Sequence, residues 1–149
     1  MIDIERIVRA FRKAGFSCRK KRKAGYYTCS YGSVDVEISY GDIEVKNLGE
    51  FRSDYLRAYT SDKYSDEDVM EMLKRETGAK DAWIDVGYDA YLILKFDPEK
   101  YERAIEVAKR IGEKDLWIAI TNTEGELRLF RGKEVITRTE EWLKEFVRD

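Results

Sequence analysis

The sequence contains no histidine and no glutamine, and it has only two cysteines and one proline. Without histidine there is no imidazole base, no Ser-His or Cys-His nucleophile pair and no histidine-containing zinc site. Two thiols are too few for a four-cysteine zinc site. Any catalysis by this chain must therefore use carboxylates, lysine, tyrosine or cysteine.

Long apolar segments are also missing. The longest uncharged apolar run, residues 90–94, is far shorter than the ~20 residues that cross a bilayer. The N-terminus begins with acidic and basic residues rather than with the apolar segment of a signal peptide. At 149 residues the chain has the length of one ordinary domain. We therefore expect a single cytoplasmic domain, residues 1–149, with no membrane partner.

Charged residues make up 39% of the chain, and Asn47 and Asn122 are its only side-chain amides. This charged, amide-poor composition is typical of hyperthermophile proteins, so we expect a thermophilic source. Cys18 and Cys29 flank a predicted hairpin turn, which permits a cross-strand disulfide. Two buried, reduced thiols are the alternative, because cytosol is normally reducing although hyperthermophiles are an exception.

Hydrophobic periodicity predicts an α+β domain with about four helices packed on a largely antiparallel sheet. Asp3 can cap a first helix whose apolar positions recur every three or four residues, and Gly15 can end it. The predicted units are a basic helix with a strand meander (1–47), two helix–strand–strand units (66–96 and 98–131) and a C-terminal helix (137–148).

The second half of the chain contains an internal repeat. Residues 78–84 match residues 112–118 at five of seven positions, as Gly-x-Lys-Asp-x-Trp-Ile. Each copy begins a predicted strand and follows a predicted helix, which ends at Gly78 in the first copy and at Gly112 in the second. We therefore expect two similar helix–hairpin units in which Trp83 and Trp117 enter the core.

Basic residues are concentrated near the N-terminus. Residues 1–31 hold nine lysines and arginines against two carboxylates, a net charge of +7 that leaves −9 for the rest of the chain. A polyanion groove needs cations to replace counterions and aromatic faces on which unpaired bases stack. The candidate residues for DNA or RNA binding are Arg6, Arg9, Lys13, Arg19, Lys20, Lys21, Arg22, Lys23, Tyr26 and Tyr27. Tyr31 follows shortly after Tyr27 in the sequence.

A second candidate site lies in the acidic run at residues 34–46. If Tyr40 and Gly41 join two antiparallel strands, the carboxylates of the run are crowded together, and Glu44 shares a face with Lys46. Converging carboxylates suit Mg²⁺, and a neighbouring lysine can stabilise an attacking water or a developing charge on phosphate. An exposed strand face with alternating charges is the alternative interpretation.

This run, after a glycine-terminated helix, resembles the PD-(D/E)xK nuclease superfamily and, within it, the archaeal Holliday junction resolvases. The resemblance covers the first helix and residues 34–46. It implies Mg²⁺ as cofactor, Asp35 and Glu44 as catalytic metal ligands, Lys46 as the catalytic lysine and Glu5 as a helical carboxylate. The chain departs from the pattern because no proline precedes Asp35 and the spacing from Asp35 to Glu44 is short.

Two classes of function follow from the sequence. The first is a small nucleic-acid-binding protein that uses the basic N-terminal region, with a metal-dependent nuclease as an extension of it. The second is a non-catalytic interaction protein or homo-oligomer, in which the same basic region meets an acidic surface of a partner or of another copy. A third interpretation of the basic region is a solvated hairpin turn, whose exposed charges would need no partner.

Overall fold

A computed structural model describes residues 2–21, 25–49, 66–86, 90–114, 116–120, 127–131 and 134–136. The helices are α1 (Ile4–Lys13), α2 (Asp66–Thr77) and α3 (Tyr101–Lys114), the last preceded by a single helical turn at Pro98–Lys100. The strands are β1 (Ser17–Lys21), β2 (Tyr26–Tyr31), β3 (Val34–Ile38), β4 (Ile43–Gly49), β5 (Asp81–Val86), β6 (Ala90–Phe96), β7 (Leu116–Ile120), β8 (Leu127–Arg131) and β9 (Glu134–Ile136).

Six strands form one antiparallel sheet in the order β1-β2-β3-β4-β6-β5, so β1 and β5 are its edges. Strands β7, β8 and β9 form a separate antiparallel sheet. The α+β class and the antiparallel sheet are therefore confirmed. The predicted fourth helix, residues 137–148, lies outside the described residues.

One face of the six-stranded sheet is covered by helices. Its core is continuous from α1 through the strands to α3, and its largest fully buried side chains are Phe11, Phe96, Ile7, Ile38, Ile43, Leu73, Leu94 and Ile111. Since side chains alternate along a strand, the residues between these point to the other side. We call that side the open face, because no helix in the described ranges packs on it. Its members include Thr28, Asp35, Glu37, Glu44, Lys46, Trp83, Ile93 and Lys95.

Helix α1 begins and ends as the sequence predicts. The Asp3 side chain accepts a hydrogen bond from the backbone N–H of Glu5 at 3.0 Å, so it caps the helix. Gly15 follows the helix with φ +104°, a conformation that glycine adopts without steric cost. The next residue, Phe16, is buried against Phe11 with ring centroids 5.0 Å apart. The turn therefore returns the chain directly to the core and places β1 beside α1.

The predicted end of α3 at Gly112 is wrong, because the helix continues to Lys114. Gly112 is needed for a close approach instead. A Cβ on Gly112 would lie 2.6 Å from the carbonyl oxygen of Tyr31, and a Cβ on Gly32 would lie 2.6 Å from the carbonyl oxygen of Gly112. The two glycines therefore let the β2–β3 turn contact the backbone of α3.

The internal repeat is not confirmed as a pair of equivalent units. Both segments have the order helix, strand, strand, but β5 and β6 belong to the six-stranded sheet and β7 and β8 to the other. Trp83 is only partly buried and lies on the open face rather than in the core. The side chain of Trp117 lies outside the described residues.

Candidate nucleic-acid interface

The predicted basic residues lie on two adjacent elements, α1 and the edge strand β1. Six of them are exposed, and we call this surface the basic edge: Arg6, Arg9 and Lys13 from α1, and Arg19, Lys20 and Lys21 from β1. Arg12 joins the two elements, because its guanidinium donates to the carbonyl oxygen of Cys18 at 3.1 Å. The structure therefore brings cations that are up to fifteen positions apart in sequence onto adjacent elements.

None of the six cations of the basic edge forms an ion pair with any residue that the structure describes. Strand alternation places Arg19 and Lys21 on the open face and Lys20 on the helix side. The positive charge therefore extends around the edge of the sheet. A polyanion can approach it without displacing an internal carboxylate. Arg22 and Lys23 lie outside the described residues.

The three tyrosines of this region differ in their environments. Tyr26 is partly buried on the open face and is directly opposite Lys21 across the β1–β2 pair. Tyr27 is buried on the helix side, where its hydroxyl donates to Glu5 at 2.5 Å. This hydrogen bond to a carboxylate, together with burial, raises the pKa of Tyr27. Tyr27 is therefore a core residue, and we remove it from the predicted binding set.

Tyr31 is also engaged elsewhere. Its ring packs on Phe16 with centroids 5.0 Å apart, its hydroxyl donates to Glu113 at 3.0 Å, and the ammonium of Lys109 lies 5.9 Å from its ring centre. Of these three tyrosines, Tyr26 is thus the one that lies beside the basic edge with its ring partly accessible. This part of the described structure therefore has exposed cations but no row of accessible rings on which successive bases could stack.

A disulfide joins Cys18 of β1 to Cys29 of β2, which are directly opposite each other in the register. Of the two states that the sequence permits, the structure has the oxidised one. Cys29 is fully buried in the core, while Cys18 is partly exposed. The bond therefore links the basic strand to the interior of the domain.

The second candidate site lies on the open face of β3 and β4. Asp35 is directly opposite Lys46, and Glu37 is directly opposite Glu44. All four side chains thus share one face, with Asp35 diagonal to Glu44. Two glutamates facing each other are unfavourable, and Lys46 offsets this, since its ammonium is 3.0 Å from Glu37 and 3.6 Å from Glu44.

This cluster continues across the sheet as a network of ion pairs. The Lys95 ammonium is 3.5 Å from Glu44 and 3.9 Å from Asp42, and Lys80 also pairs with Asp42. The Lys95 ammonium also lies 5.2 Å from the ring centre of Trp83. The network, which we call the charge network, contains Glu37, Asp42, Glu44, Lys46, Lys80 and Lys95. Its carboxylates and ammonium groups are equal in number, so it is neutral as a whole.

The geometry of the acidic cluster does not fit a magnesium site. Asp35 accepts a hydrogen bond from the Ser30 hydroxyl at 2.7 Å, and Glu44 is paired with lysines. Glu5, bonded to Tyr27, lies on the helix side of the sheet, away from both. In the described ranges no group of three or more His, Cys, Asp or Glu side chains is arranged to hold a metal ion. We derive no metal-dependent step from these residues.

The chain matches no protein-family model, no curated protein and no solved structure. No helix within the described part of the chain is long and apolar enough to span a bilayer.

The sequence did not indicate that Glu37 pairs with Lys46. The feature of the sequence that could have indicated this pair is the tight turn around Tyr40 and Gly41. There the backbone N–H of Ser39 donates to the carbonyl oxygen of Asp42 at 3.0 Å. That turn sets the register, and the register places Glu37 opposite Glu44 and within reach of Lys46. A hairpin register assigned from the turn would have predicted the pair.

Proposed function

We propose that the protein binds nucleic acid through the basic edge, mainly by contacts to phosphates. The observation that supports this is the exposure of six neighbouring cations that have no ionic partner among the described residues. Cations in this state release condensed counterions from a nucleic acid when they contact its phosphates, and this release drives binding.

The acidic residues of β3 limit where the nucleic acid can lie. Strand β3, next to β2, carries Asp35 and Glu37 on the open face, and Asp35, which has no ion-pair partner among the described residues, would repel phosphates. A polyanion is therefore confined to α1, β1 and the adjacent side of β2. Because Tyr26 is the one tyrosine of Tyr26, Tyr27 and Tyr31 that is placed to stack on a base, we propose that binding depends little on base identity.

The test is a titration of the full chain with fluorescein-labelled duplex DNA at several salt concentrations. If all six cations contact phosphates, log Kobs should fall with log[salt] with a slope of about −5. Replacing Lys20 and Lys21 with alanine should weaken binding and reduce the magnitude of the slope by about two. The matched control is Lys74→Ala with Lys80→Ala, which removes the same charge from lysines paired with Glu71 and Asp42.

No binding to duplex or single-stranded nucleic acid at low salt would reject the proposal and favour the protein-interaction alternative. Equal losses of DNA affinity in the Lys20/Lys21 variant and in the control variant would reject the basic edge as the binding surface.

The nuclease activity implied by the family resemblance remains a prediction that we do not include in the proposal. Asp35, Glu44 and Lys46 share a face, but Lys46 is held between Glu37 and Glu44. The prediction is tested separately, by cleavage of DNA in Mg²⁺ or Mn²⁺ and by its loss in Glu44→Ala with binding retained.

A further inference from the structure

Strand β1, which carries half of the basic edge, has little contact with the core. Of its five residues only Cys18 is even partly buried, and the other four are exposed. Burial of apolar side chains is what normally stabilises a strand against its neighbours, and an isolated two-stranded pairing is marginal in water. Cys18 is therefore the one side chain through which β1 reaches the interior.

Three interactions hold β1 in place. Its backbone pairs with β2, Arg12 donates to the Cys18 carbonyl, and the disulfide ties Cys18 to the fully buried Cys29. The first two can break and re-form freely, whereas the disulfide is covalent. Arg19, Lys20 and Lys21 follow Cys18 directly, so the covalent attachment lies next to the cations.

We propose that the Cys18–Cys29 disulfide is a redox switch for nucleic-acid binding, an inference that rests on the proposed function. In the oxidised protein β1 is fixed beside α1, so both sets of cations are arranged before binding. In the reduced protein β1 separates from β2 for part of the time. Binding must then order the strand again, and the apparent affinity becomes the affinity of the docked state multiplied by the fraction of molecules in which β1 is docked.

The reducing agent is a dithiol. One of its thiolates attacks the sulfur of Cys18, because Cys18 is partly exposed and Cys29 is buried. The Cys18–Cys29 bond breaks, Cys29 leaves as a thiolate and takes up a proton, and a mixed disulfide forms on Cys18. The second thiol of the reductant then displaces Cys18, which is also protonated. Two electrons pass to the protein, and the reductant becomes a cyclic disulfide.

The experiment compares the full chain before and after treatment with dithiothreitol, with the state of both cysteines verified by alkylation and mass spectrometry. Affinity is measured by fluorescence anisotropy with a short labelled DNA duplex at low salt. We expect reduction to weaken binding by about tenfold. The variant Cys18→Ser with Cys29→Ala should bind like the reduced protein and should not respond to dithiothreitol.

Two further variants test whether the switch acts through β1. Lys20→Ala with Lys21→Ala should reduce the ratio of oxidised to reduced affinity towards one, because the strand then contributes less to binding. Arg6→Ala with Arg9→Ala removes as many cations from α1 and should keep the full ratio. Far-UV circular dichroism on each sample shows whether the domain stays folded.

Each outcome decides between the two proposals. Equal affinity in the two redox states, or tighter binding after reduction, overturns the switch and leaves the proposed function standing. Loss of the whole far-UV signal on reduction also overturns it, since the bond would then hold the entire domain rather than β1. Absence of binding in both states overturns the proposed function itself. If the double cysteine variant fails to fold, the comparison on the wild-type chain still gives the answer.

Discussion

The basic edge and the charge network use the same kinds of residue in opposite ways. In the charge network, Lys46, Lys80 and Lys95 all lie within 4 Å of a carboxylate. In the basic edge, none of the six cations has such a partner among the described residues. The contrast shows that the number of charges in a segment does not determine whether they are available to a ligand.

The difference arises from which residues face each other across the strands. Lys46 has neighbouring strands on both sides and carboxylates within reach on β3 and β4. Strand β1 has a single neighbour in the sheet, and the residues that face its cations are Thr28, Tyr27 and Tyr26. None of these is acidic, so no carboxylate neutralises the positive charge of β1 across the β1–β2 pair.

Of the variants that test this contrast, the one that reverses two charges of the basic edge should have the largest effect, a loss of affinity for DNA. Lys20→Glu with Lys21→Glu replaces two cations that we propose to contact phosphates with two repelling carboxylates. We expect affinity for duplex DNA at low salt to fall on the order of a hundredfold, with a shallower salt dependence. Fluorescence anisotropy measures both quantities. Retention of wild-type affinity would show that the two regions do not differ in function.

Removing a lysine from the charge network should lower stability instead. In Lys46→Met, Glu37 and Glu44 face each other with no cation between them. We expect the free energy of unfolding in urea to fall by about 1 kcal/mol at neutral pH, because the partly exposed pairs are lost and the repulsion remains. Lys20→Met is the matched control, and its stability should be unchanged. A similar loss in both variants would contradict the distinction.

The pH dependence of stability sharpens the same comparison. Partial burial lowers the pKa of Lys46, but the hydrogen bond and attraction of Glu37 and the attraction of Glu44 outweigh it, so the pKa is raised. The stabilisation is complete below the pKa of about 10.4 in the unfolded chain and is lost as pH rises through the higher folded value. Urea unfolding between neutral pH and about pH 11 should therefore show a steeper loss in wild type than in Lys46→Met. Parallel curves would mean that Lys46 does not titrate differently on folding.

The smallest expected effect concerns stacking. Tyr26→Ala removes the aromatic ring beside Lys21 but no charge. We expect affinity for duplex DNA to change by less than about threefold, well below the ~1–3 kcal/mol per base of a true stacking platform. Titration with both duplex and single-stranded DNA provides the measurement. A loss of tenfold or more for single-stranded DNA alone would show that base stacking is part of recognition.

Local patterns were sufficient to predict much of the fold. The cap at Asp3, the glycine that ends α1 and the turn at Tyr40 and Gly41 all lie where the sequence predicts them. These signals are local because each depends on a few neighbouring residues. Gly112 was wrongly predicted to end a helix, because its role is not local. The absence of a side chain allows α3 to contact Tyr31, which is far away in sequence.

The candidate sites were less predictable, because they depend on which face a strand turns to the core. Alternation alone shows that Tyr26 and Tyr27 point to opposite sides, but not which of them is buried. Likewise, the acidic run predicts crowded carboxylates without revealing that Lys46 lies between Glu37 and Glu44. A shift of one residue in register would have exchanged these environments.

The contact between Arg12 and Cys18 also bears on how the protein avoids aggregation. An edge strand presents backbone groups to which a strand of another molecule can bind, and sheets that grow in this way lead to fibres. Arg12 already occupies one acceptor of β1, the carbonyl oxygen of Cys18. Arg19, Lys20 and Lys21, which follow Cys18 on β1, would repel an identical edge approaching from a second copy. The residues that we propose to contact a polyanion would therefore also oppose extension of the sheet into a polymer of the protein itself.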